Sequence, residues 1–287
     1  MDVFAGSGTV RPVPGRLIVR GRLARKAAAA GRKAGRRAPK PAAKGIAGYF
    51  QSTKAVGTSL VLTLPVLLLY NVSLIVPAND TINTVDLLSR IVGTRYGMYG
   101  LLVANSIIGL VSLVLGVVLA KRGRLKWWYW ALLVVEGAAW AVLVAAAGYW
   151  ANTGLGQTVP SASIMRPNAN YSLMQILTFS AGAGYWEELV FRLGVIGVPF
   201  GLARWFSGRP GGSGGLMPAV VAGVMLFVSA IVFSSVHYIG VQAHFDTWSF
   251  VFRAVAGLVF GLLFLFRGFS VAVFAHFMYD IAAFWLG

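Results

Sequence analysis

Cysteine is absent from these 287 residues. Its absence excludes disulfides and thiolate metal sites, and leaves histidine and carboxylate as the side chains able to hold a metal. Acidic residues are nearly as scarce, eight against 25 lysines and arginines, and histidine occurs three times. Charged residues make up 11% of the chain and apolar ones 57%, whereas a soluble domain carries about a quarter charged residues. So little charge excludes an ordinary soluble domain and describes a polytopic membrane protein.

The net charge of +17 invites a nucleic-acid reading until it is located. Twelve of the 25 cations fall between Arg11 and Lys44, separated by Ala, Gly and Pro. Such a segment has almost nothing to pack, so residues 1–50 read as a basic, disordered cytoplasmic tail. It could serve as an orientation signal on anionic lipid, an organelle transit peptide or a nucleic-acid arm. No aromatic residues are interleaved with the charges, so the nucleic-acid reading ranks last and no nucleic-acid partner is expected.

Runs of about 20 apolar residues, enough to cross a bilayer, occur near 55–76, 97–120, 127–150, 184–203, 217–240, 249–266 and 269–286. A further apolar piece, 171–183, reads as an interfacial or half-inserted helix. The expected fold is therefore all-α: about seven transmembrane helices, with N-terminal spans in 51–170 and a second group in 171–287. With the tail in the cytoplasm, 20 cations fall on that side and four on the other, namely Arg90, Arg95, Arg166 and Arg253. That asymmetry supports a cytoplasmic N-terminus. Internal repeats, which would favour a transporter, are not evident.

Ionisable residues inside such spans are costly and need a partner or a task. All three glutamates, Glu136, Glu187 and Glu188, lie in expected spans, as do His237, His276 and Asp280. Three spans each carry a pair at the four-residue offset that places both side chains on one helix face: Glu188 with Arg192, Phe233 with His237, and His276 with Asp280. Converging faces would enclose a small polar cavity. A glutamate in a partly dry site can take a proton from water and return it to a leaving amine. Histidine beside it can orient the water or stabilise developing negative charge.

The series Glu187-Glu188-x-x-x-Arg192, Phe233-x-x-x-His237 and His276-x-x-x-Asp280 resembles the three-motif pattern of the CPBP family. These are the CAAX-protease and bacteriocin-processing intramembrane proteases, which include the Rce1-type prenyl endopeptidases. The resemblance extends through GLVFGLLFLFRGFSVAVFAH, residues 257–276, and covers roughly 171–287; the first 170 residues add nothing to it. It implies an intramembrane endopeptidase acting on a membrane-associated protein or peptide, with Glu187 activating water and His237 sharing that water. Glu188, at the i,i+4 offset from Arg192, is the expected ion-pair partner, although one carboxylate of the two could hold either role. Phe233 is expected in the wall of the site.

Many members of the family carry asparagine where Asp280 stands. An ionised aspartate only accepts hydrogen bonds, so Asp280 is expected to orient His276 or to help hold a cation, and the oxyanion role passes to His276. No resident cofactor is expected. Were a zinc ion used, Glu187, His237 and His276 would be its ligands. Glu136, outside the motifs, either lines the cavity or hydrogen-bonds a neighbouring helix. His244 reads as a solvated loop residue, and Trp127, Trp128, Tyr129 and Trp130 as an interfacial belt.

Two other functions fit an intramembrane cluster: a proton-coupled transporter, and a non-catalytic immunity or interaction protein of the same family. A fourth span starting near Gly184 would place the site toward the extracytoplasmic face. Ala-, Gly- and Arg-rich usage suggests a bacterial inner membrane.

Overall fold

The computed structural model describes residues 45–75, 87–119, 125–157, 171–208, 215–239 and 245–286. The basic tail as far as residue 44 and His244 lie outside the described residues. The regular structure described is helical throughout: α1 (Gly45–Thr53), α2 (Val56–Ile75), α3 (Leu87–Leu119), α4 (Tyr129–Gly154), α5 (Leu173–Glu187), a π-helical segment (Glu188–Gly197), α6 (Val198–Ser207), α7 (Leu216–Val236), α8 (Thr247–Arg267) and α9 (Phe269–Leu286). Among the described residues six stretches are long and apolar enough to cross a membrane, and Phe269–Trp285 is a shorter apolar helix. On α3, Val103, Ile107, Leu110, Val114 and Val118 face outward. Lipid rather than water suits such a surface.

The first half of the shortest apolar span lies inside the bundle. Along α9, Phe269, Val271, Ala272, Val273 and Ala275 are sealed from the surroundings, with α2, α4, α5, α8 and the π segment packed around them. A helix apolar on all sides is at home in such a position. The close packing requires small residues. A Cβ added at Gly184 of α5 would stand 3.0 Å from the Phe277 backbone nitrogen. Gly268 turns the chain from α8 into α9 at φ 100°, a region side chains disfavour, and a Cβ added there would collide with the Thr53 carbonyl.

The expected break near residue 183 is not there. Leu173–Ser207 runs as one helical stretch of 35 residues, so 171–183 is the beginning of the fourth span and not a separate interfacial helix. Its start is defined by a capping box. Ser172 Oγ accepts from the Gln175 backbone N–H, and Gln175 Oε1 accepts from the Ser172 N–H. At about 1.5 Å per residue the stretch exceeds the roughly 30 Å hydrocarbon core. Its middle widens into the π segment, which closes with Val198 N–H donating to the Leu193 carbonyl, five residues back. Gly194, Gly197 and Pro199 explain why the tighter helix yields here: glycine is a weak helix former, and proline cannot supply its N–H.

For Glu136 the second of its two expected roles holds, and the expected aromatic belt divides. Glu136 does not join a cavity with the motif residues. Its carboxylate accepts from Arg267 Nε at 2.7 Å and Nη2 at 2.8 Å, and from the Tyr49 hydroxyl at 2.5 Å, tying α1 and α8 to α4. Burial, and then the Glu136 carboxylate, push the Tyr49 hydroxyl above its ordinary value. The aromatic run also divides. Trp127 is exposed as a belt residue would be, whereas Tyr129 is buried against Tyr49 and Trp130 Nε1 donates to the Leu62 carbonyl.

Candidate active site

Four elements supply the polar centre: the junction of α5 with the π segment, the end of α7, the middle of α8 and the first half of α9. Glu187 is the last residue of α5 and Glu188 the first of the π segment. Successive residues on a helix diverge by about 100°, so the two adjacent carboxylates reach different partners.

Glu188 is fully buried. Its Oε1 lies 3.0 Å from Arg192 Nη1, off the hydrogen-bond line, so the contact is one of charge. The same oxygen accepts from His276 Nδ1 at 2.8 Å. Arg192 donates to the Gly257 carbonyl of α8 at 3.4 Å, and its guanidinium stands 4.4 Å from the Phe233 ring and 5.3 Å from the Phe260 ring. Aromatic faces and a backbone carbonyl thus complete the surroundings of a cation whose counter-charge is Glu188.

Glu187 faces both histidines. Its Oε1 is 4.0 Å from His237 Nε2 and its Oε2 is 3.7 Å from His276 Nε2. His237 follows the last residue of α7, and its Nδ1 lies 2.7 Å from the Phe233 carbonyl. A carbonyl only accepts, so Nδ1 carries the proton and, in the neutral ring, Nε2 keeps its lone pair toward Glu187. The two ring nitrogens thus serve the backbone and the site at once. The 4.0 Å between two acceptors suits a water molecule donating one hydrogen to each.

Asp280 Oδ2 lies 3.6 Å from His276 Nε2. Asp280 was expected to orient the ring or to help hold a cation; it stands on Nε2, while Nδ1 donates its hydrogen bond to Glu188. Phe233 is in the wall as expected, 5.1 Å from the His237 ring and 5.9 Å from the His276 ring. Sequence reasoning missed Phe260, whose ring stacks on His276 at 4.6 Å and 15°. The signal was the three-residue offset from Gly257, which puts Phe260 on the same face of α8.

Among the described residues no group of three His, Asp or Glu side chains has an arrangement that would hold a metal ion. The Nδ1 atoms of both rings are already engaged, and the Nε2 atoms stand 3.7 and 4.0 Å from Glu187. Glu187, His237 and His276 would have to close on one another to serve as a ligand set, so no step is derived through a metal.

Residues 169–282, which contain every member of this cluster, match the family model described as type II CAAX prenyl endopeptidase Rce1-like. This stretch is an Rce1-like domain. The match supports a CAAX-type intramembrane protease in general, and with six apolar spans among the described residues the chain is an integral membrane protein. No curated protein and no solved structure matches the chain. Within the matched stretch Glu187 is not at the start of its span, since it lies about 21 Å along the helix from Leu173, whereas His237 does stand at the end of α7. The expectation that Glu187 stands near the start of the fourth span therefore loses its basis.

Proposed function

We propose that the cluster hydrolyses a peptide bond of a membrane-associated protein or peptide, using water activated by Glu187. The observation carrying this reading is that the Nε2 atoms of two histidines from different helices face the two oxygens of one carboxylate. Water held between Glu187 Oε1 and His237 Nε2 gives a proton to Glu187 while its oxygen attacks the scissile carbonyl. The resulting oxyanion accepts a hydrogen bond from His276, whose imidazolium form can donate from Nε2 while Nδ1–H remains on Glu188. Collapse breaks the C–N bond, and Glu187 passes its proton to the departing amine. The hydroxyl from water ends on the new carboxyl group, so the balance is one water consumed per bond.

Glu188 and Arg192 act through His276, holding its ring and neutralising each other. No metal is invoked, and the substrate is a protein or peptide that reaches the site within the bilayer. The test is cleavage of a panel of lipid-anchored peptides by the reconstituted full chain. Wild type should cleave, and Glu187→Gln should lose roughly 10²- to 10⁴-fold in rate, the usual contribution of a general base. Equal cleavage by both proteins removes the reading.

We further read the chain as a bacterial inner-membrane protein with its N-terminus in the cytoplasm, supported by the 20-to-4 distribution of cations. Because the chain lacks cysteine, His244→Cys gives a single reporter. Its reaction with an impermeant thiol reagent from outside supports this orientation, and reaction only from the cytoplasm reverses it.

A further inference from the structure

Asn105 and Ser112 are buried polar side chains of α3, and their spacing sets both on one face of that helix. The opposite face, marked by Val103, Ile107 and Leu110, is exposed. Both polar side chains reach α5 at the two residues that precede Glu187. Trp186 Nε1 donates to Asn105 Oδ1 at 3.0 Å, and the Tyr185 hydroxyl lies 3.1 Å from Ser112 Oγ. α3 lies outside residues 169–282. A helix beyond the matched stretch therefore grips the turn that carries the water-activating glutamate.

Stability does not account for Asn105. Its Nδ2 is buried with no hydrogen-bond partner among the described residues, and a buried donor left unpaired is destabilising. An apolar pair would join the two helices without that cost. What Asn105 supplies is direction: its oxygen fixes the indole, and the indole fixes the rotation of α5 about its own axis. Trp186 and Glu187 diverge by about 100° on one rigid turn, so neither moves without the other. A helix with its side chains is about 10–12 Å across, so a carboxylate about 5–6 Å from the axis moves about 1 Å for a rotation of about 10°. The far side of the junction is anchored separately, since Ser229 Oγ of α7 donates to the Phe191 carbonyl inside the π segment at 2.9 Å. The near side depends on α3.

We propose that Asn105 is a positioning residue for Glu187: through Trp186 it sets the rotation of α5 that keeps the carboxylate facing His237 and His276. The inference rests on the peptidase reading and extends its machinery to a helix outside the matched stretch. Misplacing a reacting group by about 1 Å can cost about 10²-fold in rate.

The test compares Asn105→Leu, Trp186→Phe and the double variant with wild type, each as the full chain in lipid nanodiscs, with kcat expressed per folded protein. The double variant carries an apolar pair in place of a polar one and should match or exceed the Tm of wild type. Its kcat should nonetheless fall about 10- to 100-fold with KM unchanged, because a residue that places the base leaves substrate binding alone. Combining the two substitutions should lose no more than either loses singly, as expected of residues acting through one bond. Wild-type kcat in the double variant, or a raised KM at unchanged kcat, makes the pair merely structural and overturns the proposal. Should the double variant fail to fold, Trp186→Phe, which deletes only the donor, carries the same expectation for kcat and KM. An electron cryomicroscopy map of the variant reads the placement without turnover. Glu187 should stand about 1 Å from its wild-type place relative to the two histidines, and an unchanged place overturns the proposal. Absence of cleavage by wild type is instead failure of the peptidase reading, and the map then decides the positioning claim alone.

Discussion

Glu187 and Glu188 are neighbours with opposite duties, and substitution to glutamine separates them. Glu188 and Arg192 are both fully buried, with their charges 3.0 Å apart, so solvent screening does not dilute the contact. Removing one partner of such a pair costs about 3–5 kcal/mol, because the other charge stays buried without compensation. At about 2–4 °C per kcal/mol for a body of this size, Glu188→Gln should lower the Tm of the detergent-solubilised protein by roughly 6–20 °C. The loss should be non-additive. Arg192→Met alone leaves Glu188 with His276 as its one remaining partner among the described residues, whereas the double variant Glu188→Gln/Arg192→Met removes both members of the pair and should recover at least about 1 kcal/mol of the summed losses. Glu187→Gln removes no ion pair with Arg192 and should leave Tm within about 2 °C of wild type while abolishing cleavage. Thermal unfolding followed by tryptophan fluorescence reads all four proteins. A Glu188→Gln shift no larger than that of Glu187→Gln, or strict additivity in the double variant, would refute this division of labour.

Other consequences are as direct. Phe260→Ala removes the ring stacked on His276 and should lower kcat about tenfold or more, beyond the 3–5 kcal/mol typical of a lost core aromatic; an unchanged kcat in protein that remains folded contradicts the stacking role. Chelation should leave cleavage unaffected, and abolition of cleavage by EDTA with recovery on adding zinc would overturn the metal-free mechanism. Tyr49→Phe leaves Glu136 Oε2 short of one donor and should cost about 1–3 kcal/mol in Tm measurements. The Tyr49 hydroxyl is raised above its reference value of 10.0, so its contribution is fully present below pH 10 and is lost as pH rises through the higher folded value. Wild type should thus lose stability in strong alkali more steeply than Tyr49→Phe, and parallel pH profiles would contradict that linkage.

Much of the site was legible because charge inside lipid is expensive. Glu188 with Arg192 and His276 with Asp280 stood out as helical pairs in apolar runs, and the structure places both pairs in one cluster with Glu187 and His237. What escaped notice depends on packing between helices. The hydrogen bond from His276 Nδ1 to Glu188 joins residues 88 apart, which no local spacing reveals. Phe260 is one of 18 phenylalanines, and only the register of α8 against α9 sets it on the imidazole. The continuous fourth span was hidden because Gly182, Gly184 and the two glutamates depress hydropathy where the helix passes the site. Glu136 could be flagged as costly, yet its partner Arg267 lies 131 residues away. Arg253 was counted among the extracytoplasmic cations although the expected span 249–266 already held it, and α8 carries it within the helix.

The account depends most on a water molecule bound inside the bundle by Glu187 and His237. A high-resolution electron cryomicroscopy map of the full chain in a lipid nanodisc tests this most directly. The account predicts a water peak about 3 Å from both Glu187 Oε1 and His237 Nε2, with His276 on the other carboxylate oxygen. A map in which Glu187 points into acyl chains, or in which the two histidines stand apart with no ordered water between them, would contradict it.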